Sequence, residues 1–173
     1  MIKKKIALVT GGAGFIGSHL VDLLLKKKFK VRVIDNLSGG RLENLKQHKT
    51  NKNLKIFKKD INNLSTKEKV FNGVNFVYHF AGKGDIVPSI EKPLSYMETN
   101  ILGTTKVLEN CRNRNISKFI YAASSSCYGL AKTPTNEKHK ISLKYPYALS
   151  KFLGKQTCLH WASVYSIPVI SIR

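Results

Sequence analysis

Tyr147 and Lys151 stand four residues apart in the stretch YALSK, and a serine-rich stretch, SSSCYG, lies upstream at Ser124 to Gly129. Four residues is about one helical turn, so on a helix the phenol and the ammonium share a face. A free phenol, with a pKa of about 10, is a poor base near neutrality. A neighbouring ammonium favours the tyrosinate and makes it a usable proton acceptor. Serine hydroxyls beside it can hydrogen-bond a substrate hydroxyl and stabilise developing charge as that group becomes a carbonyl. The chemistry is that of alcohol oxidation. A tyrosine and a lysine at this spacing also occur on ordinary helices, so the pair acquires meaning only from its surroundings.

A second signature lies near the chain start, in TGGAGFIGSHL, Thr10 to Leu20. It satisfies GxxGxxG at Gly11, Gly14 and Gly17, and GxGxxG at Gly12, Gly14 and Gly17. Between a strand and a helix, such glycines permit a tight turn, a close approach of backbone to a pyrophosphate, and packing of helix on strand. Phe15 and Ile16 would lend backbone amides. Asp35 ends the next apolar run, 18 residues beyond Gly17, where a carboxylate accepts hydrogen bonds from ribose hydroxyls and repels a ribose phosphate. The following Asn36, Leu37 and Ser38 offer no cation, so the pattern favours NAD over NADP. The glycines alone could be a ligand-free turn; the order strand, loop, helix, strand, acid argues for a dinucleotide.

These residues need a scaffold, and the hydrophobic pattern supplies one. Short apolar runs at Lys5 to Thr10, Lys30 to Asp35, Leu54 to Lys58, Asn75 to His79, Lys118 to Ala123 and Pro168 to Ile172 read as buried strands. Helical spacing separates them at Gly14 to Lys27, Gly40 to Lys49, Asn63 to Phe71, Pro93 to Arg114 and Pro146 to Tyr165. In the fourth of these, Leu94, Met97, Ile101, Thr105, Leu108 and Cys111 form one face, as a helix on a sheet requires. The alternation predicts an α/β fold, a doubly wound parallel sheet of the Rossmann type, as one domain over residues 1–173. Ligands in such sheets lie outside the carboxyl ends of the strands, so Asp60 and Ile61 after the third strand, and His79, Phe80, Ala81 and Gly82 around the end of the fourth, are natural walls. His79 by itself reads as a buried structural histidine. Gly129 to Lys144, with Pro134 and no clear period, reads as a long loop near the ligand.

Composition limits the alternatives. With 30 Lys plus Arg against 10 Asp plus Glu, the formal net charge is +20. The lysines are scattered between apolar positions, so the pattern reads as a basic surface suited to anionic small ligands; no nucleic acid partner is expected, and polyanion binding is the rival reading. Cys111, Cys127 and Cys158 are widely spaced with no paired framework, which fits a reduced, cytoplasmic setting and implies no metal site. The basic start MIKKKIALVT has too short an apolar run for a signal peptide, and no stretch approaches the roughly 18 apolar residues of a membrane span.

Taken together, TGGAGFIGSHL, DNLS, the Asp60-Ile61 pair, HFAG, PSIEKPLSYMETNILGT, SSSCYG and YALSK resemble, in order and spacing, the extended short-chain dehydrogenase/reductase family, and within it the nucleotide-sugar epimerases typified by UDP-glucose 4-epimerase. The resemblance implies NAD held by Gly11 to Gly17, Asp35, Asn36, Asp60, Ile61, Phe80 to Gly82, and Thr99 or Asn100. It makes Tyr147 the general base, Lys151 its ribose-binding partner and Ser124 the catalytic serine, with Ser125 and Ser126 assisting and Ser89 reaching the sugar nucleotide. The implied reaction removes a hydride from sugar C4, gives a 4-keto intermediate and returns the hydride to the other face of a UDP-hexose. Related 4,6-dehydratases carry an Asp-Glu pair after the serine for elimination; here Ser125 and Ser126 stand there. Family members continue into a smaller C-terminal part that closes over the substrate, whereas this chain stops at Arg173, so the expectation is the cofactor-binding portion alone. A homodimer through a four-helix bundle is a further family expectation. The alternatives are a non-catalytic dinucleotide module, though Ser124, Tyr147 and Lys151 are all in place, and another nucleotide-sugar dehydratase or reductase of the same family.

Overall fold

The computed structural model describes residues 4–173. Six strands, β1 (Ile6–Thr10), β2 (Lys30–Asp35), β3 (Leu54–Lys58), β4 (Phe76–His79), β5 (Lys118–Ala122) and β6 (Val169–Ile172), form one parallel sheet in the order β3-β2-β1-β4-β5-β6. The chain starts in the middle, winds outward one way through β2 and β3, then crosses back to β4. That reversal opens a crevice at the carboxyl ends of β1 and β4.

Alternation along the central strands sends side chains to both faces. Ala7 and Val9 of β1 join Val21, Leu24, Val31 and Val33 in one core under helix α1 (Phe15–Lys26), while Leu8 joins Val77, Leu108, Phe119 and Tyr121 in the other. The expectation of uniformly buried strands fails at the edges: β3 and β6 have no neighbour on one side, and Ile56, Ile170 and Ile172 are exposed. Lys55 and Lys58 keep the β3 edge charged.

Three helical expectations change. Gly40 to Lys49 becomes a 3-10 helix over Leu42–His48, with only Leu45 buried. Asn63 to Phe71 is two short 3-10 turns, Ile61–Asn63 and Lys69–Phe71, because the Asp60 carboxylate caps the first turn and extended residues follow it. The long stretch from Pro93 runs helically to Cys111, as α3 (Pro93–Met97), a π-helical turn (Glu98–Gly103) and α4 (Thr104–Cys111), after a short α2 (Val87–Glu91). Its buried face is Tyr96, Asn100, Gly103, Thr104, Val107, Leu108 and Cys111; Leu94 is 69% exposed. Apolar periodicity selected the wrong face for the first half because the buried positions there include polar groups. The last helix, α5 (Pro146–Tyr165), is as expected and ends at a left-handed Ser166.

Candidate active site

The glycine loop takes its shape from contacts that leave no room for side chains. Gly11 has φ +70, and a β-carbon there would lie 2.7 Å from the Ala81 nitrogen. A β-carbon on Gly17 would lie 2.1 Å from the Gly11 carbonyl oxygen, so the first turn of α1 rests directly on the turn before it. Gly14 is the N-cap of α1 and offers no side chain to the first-turn amides. Those amides have no partner within the helix, and their positive end faces the crevice, a ready seat for a phosphate. Phe15 and Ile16 turn their side chains to solvent, exposed by 79% and 66%.

Asp35 is buried beside this loop. Its Oδ2 accepts the Ala13 N–H at 2.9 Å and its Oδ1 accepts the Leu37 N–H at 2.8 Å, so the carboxylate is fixed with further lone pairs free. Asn36 donates to Asp60 Oδ2 at 2.8 Å, and Asp60 Oδ1 accepts the Asn62 N–H at 2.8 Å. A cleft of about 770 Å³ runs along these turns, lined by Gly11, Gly14, Asp35, Asn36, Asp60, Ile61, Phe80, Ala81, Gly82 and Thr99 among the residues anticipated from sequence. It is also lined by Lys59, Lys83, Asp85 and Tyr96, which the sequence reading did not single out. Lys59 is engaged by Glu68 at 2.7 Å, and this bond lowers the Glu68 pKa. Tyr96 donates to the Gly84 carbonyl at 2.5 Å and ties down the loop after β4.

Behind that loop lies a buried polar relay. The Ala81 N–H donates to Thr10 Oγ1 at 3.2 Å, and Thr10 Oγ1 meets His79 Nδ1 at 2.6 Å. His79 Nε2 meets Thr104 Oγ1 at 2.9 Å, and Thr104 donates to the Asn100 carbonyl at 2.8 Å. A carbonyl can only accept, so the Thr104 proton goes to Asn100 and His79 carries its proton on Nε2. Burial lowers the His79 pKa to about 3, and Lys151 adds to the effect, so the ring is neutral at physiological pH. The Asn100 side chain continues the relay: its Oδ1 accepts the Lys83 N–H at 2.8 Å, and its Nδ2 donates to the Lys83 carbonyl at 3.0 Å and to Ser150 Oγ at 2.9 Å. Ser150 donates to the Tyr147 carbonyl at 2.8 Å. Asn100 is therefore occupied on every side and reaches the cleft only through the loop it holds, whereas Thr99 lines the cleft itself.

Ser89, expected at the sugar nucleotide, is placed differently. It is fully buried, donates to the Ile86 carbonyl at 2.5 Å and accepts the Tyr147 N–H at 3.1 Å. The cap residue of α5, Tyr145, makes no side-chain cap, so Ser89 supplies one from α2.

Tyr147 and Lys151 lie one turn apart at the start of α5, and α5 packs against the turn Ser125–Tyr128 that Ser124 caps. Tyr147 is half-buried, its ring 6.4 Å from that of Tyr96. Ser124 Oγ lies 2.7 Å from Ser126 Oγ, and Ser125 is exposed. Lys151 is buried, with Nζ 4.5 Å from the centre of the Tyr121 ring and 3.7 Å from where a Gly82 β-carbon would be. Burial lowers its pKa to about 8, partly offset by Cys158, so the ammonium persists at neutrality. Lys151 thus sits beside Gly82, with Tyr147 one turn before it on α5 and the turn that Ser124 caps packed against the same helix. Among the described residues, no group of three or more His, Cys, Asp or Glu side chains could hold a metal, and no helix is long and apolar enough to cross a membrane. The three cysteines are buried and unpaired.

The family model described as GDP-mannose 4,6 dehydratase matches residues 8–173. The chain belongs to this family of extended short-chain dehydrogenases. Similar solved structures include both 4-epimerases and a dTDP-glucose 4,6-dehydratase from Streptomyces venezuelae. A UDP-glucose 4-epimerase of Cyamopsis tetragonoloba is 34% identical over 165 residues, 91% of this chain and 47% of its own length. Among solved structures, a UDP-N-acetylglucosamine 4-epimerase from Methanobrevibacter ruminantium in complex with UDP-N-acetylmuramic acid superposes with a TM-score of 0.92 at 35% identity, over 99% of this chain and 55% of that one. A UDP-glucuronic acid 4-epimerase from Bacillus cereus, in complex with UDP-glucuronic acid and NAD, gives 0.91 at 31% identity, over 97% and 55%. The chain spans about half the length of the relatives it matches.

Proposed function

We propose that this chain is the cofactor-binding and catalytic part of a nucleotide-sugar 4-epimerase that holds NAD in the cleft and a UDP-hexose beside Tyr147. The Lys151 ammonium carries the reading. It is buried, forms no ion pair among the described residues, and sits one turn from Tyr147 and against Gly82. An unpaired buried cation costs stability, so its retention points to a task, and stabilising a tyrosinate is the task within reach.

The residues present fit the dinucleotide. The α1 amides would seat its pyrophosphate, Asp35 the adenosine ribose, Asp60 and Ile61 the adenine, and Lys151 the nicotinamide ribose. Bound there, NAD supplies a hydride acceptor and donor. Tyr147 then removes the proton of the sugar hydroxyl, Ser124 orients that hydroxyl, and Lys151 favours the charged phenolate. Elimination would need a carboxyl group in the turn after Ser124, and residues 124–129 hold none, which supports epimerisation over dehydration. The same reading includes a homodimer through the exposed leucines of the two long helical segments, Leu94, Leu102, Leu153 and Leu159, a cytoplasmic setting, and a role in polysaccharide synthesis.

Calorimetric titration of the chain with NAD and with NADP tests the cofactor assignment: saturable binding with NAD preferred at least tenfold is expected, and Asp35→Ala should erase the preference. In the whole protein Tyr147→Phe should keep NAD affinity and lose epimerisation. No NAD binding by a folded chain, or turnover retained by Tyr147→Phe, would overturn the reading.

A further inference from the structure

The amino end of the sheet, opposite the crevice, carries a second cleft of about 650 Å³. Its walls come from the approach to β1 (Lys4, Lys5), the turn before β4 (Asn72, Asn75) and the segment before β5 (Asn113, Arg114, Asn115). Nothing in the proposed reaction uses it.

The amides there are oriented. Asn75 Oδ1 accepts the Ile6 N–H at 2.9 Å, and Asn72 Oδ1 accepts Arg114 Nη1 at 2.9 Å. Each oxygen already accepts one hydrogen bond, which fixes the amide and leaves its amino group as the unengaged donor among the described residues. Three cations share the cleft, no Asp or Glu lines it, and none of the three cations enters an ion pair among the described residues. Nearby connections at this end repeat the composition, with KKFK at 27–30, NKN at 51–53 and RNRNISK at 112–118, all without an acid. The opposite end holds Asp35, Asp60 and Asp85.

A cation beyond a helix carboxyl end is favoured by the helix dipole, and Arg114 follows α4. That does not account for Lys4 and Lys5, which lead into a strand, or for the amides. Donors and cations without a carboxylate among them form the chemistry of an anion site. None of the exposed large apolar side chains lines it, so it offers neither a stacking platform for unpaired bases nor a wedge for a lipid surface.

We propose that this cleft is a second anion site, taking a soluble diphosphate: inorganic pyrophosphate or the diphosphate of a nucleotide. The test titrates the chain separately with pyrophosphate and with UDP, following by NMR the side-chain amides of Asn72, Asn75 and Asn113 and, independently, the backbone amides of Gly14 and Phe15 in the glycine loop. Saturable shifts are expected at the asparagines. Lys5→Gln and Arg114→Gln should each weaken them roughly tenfold while the glycine-loop shifts persist, which separates this site from the NAD cleft. Lys5→Gln carries the test if thermal melting shows that losing Arg114 from the Phe71 ring, 5.8 Å away, loosens the fold. Equal affinity for both ligands assigns the site to the diphosphate itself, and tighter UDP binding to a nucleotide. Shifts that fail to saturate, that chloride reproduces at equal ionic strength, or that Lys5→Gln leaves unchanged would overturn the proposal, as would a duplex oligonucleotide that displaces pyrophosphate.

Discussion

Along β1 and β2 the wall of the crevice is mainly backbone, with turn amides set by glycine and one carboxylate held by two N–H groups. Along β4 and α5 it is a network of buried side chains, His79, Thr104, Asn100 and Ser150 with Thr10 from the end of β1, bonded to one another and to the backbone around them. In the first half the glycine turns are broken by adding atoms. The second can be broken by removing one polar group, because a buried donor or acceptor without its partner costs about 1–3 kcal/mol.

The largest effect expected from this contrast is at Gly17→Ala. With a β-carbon 2.1 Å from a carbonyl oxygen of the neighbouring turn, the backbone must move, and a loss of about 3 kcal/mol or more is expected in urea denaturation, together with loss of NAD binding. Next is Asn100→Leu, which strands the Lys83 N–H and carbonyl. We expect about 2–3 kcal/mol of destabilisation, with the NMR shifts of the NAD pyrophosphate nearly unchanged and those of its nicotinamide end altered. Equal perturbation of both ends would erase the distinction between the halves.

The smallest effect has the opposite sign. Lys151→Met should raise stability by about 1–2 kcal/mol at pH 7, since it removes a buried cation with no carboxylate partner, while NAD affinity falls. The pH dependence is its signature. A lysine whose folded pKa lies near 8, below its ordinary 10.5, binds its proton less tightly in the folded state. Its contribution to stability therefore rises between about pH 8 and 10.5 and is flat below pH 8, where both states are protonated. That rise should be absent in Lys151→Met, as measured by chemical denaturation across the range.

The same contrast explains what could be read in advance. The glycine loop, Asp35 and the parallel sheet were legible because each follows from a local rule: a spacing, an acid at a strand end, an alternation of elements. The Tyr147 and Lys151 spacing was legible for the same reason. Asn100 and Ser89 could be picked out as chemical residues, yet their partners lie far along the chain, at Ser150 and Tyr147, and no local rule reports such pairings. Thr104 was not singled out at all; a small polar residue on a helix otherwise read by its apolar positions was the available signal. The apolar face assigned to the long helical stretch failed for this reason, since it was selected by hydrophobicity where the fold selects hydrogen bonding.

The π-helical turn at Glu98–Gly103 sets chain length as well as shape. A π turn holds one residue more than an α turn at that point, so removing a residue there would leave a regular helix whose two flanks still face the same way. The sheet and both cores would lose little. What would go is the alignment that lets Asn100 reach Lys83 on one side and Ser150 on the other. The extra residue therefore ties the loop after β4 to α5, and a deletion in this helix would cost the site its alignment together with the stability those bonds supply.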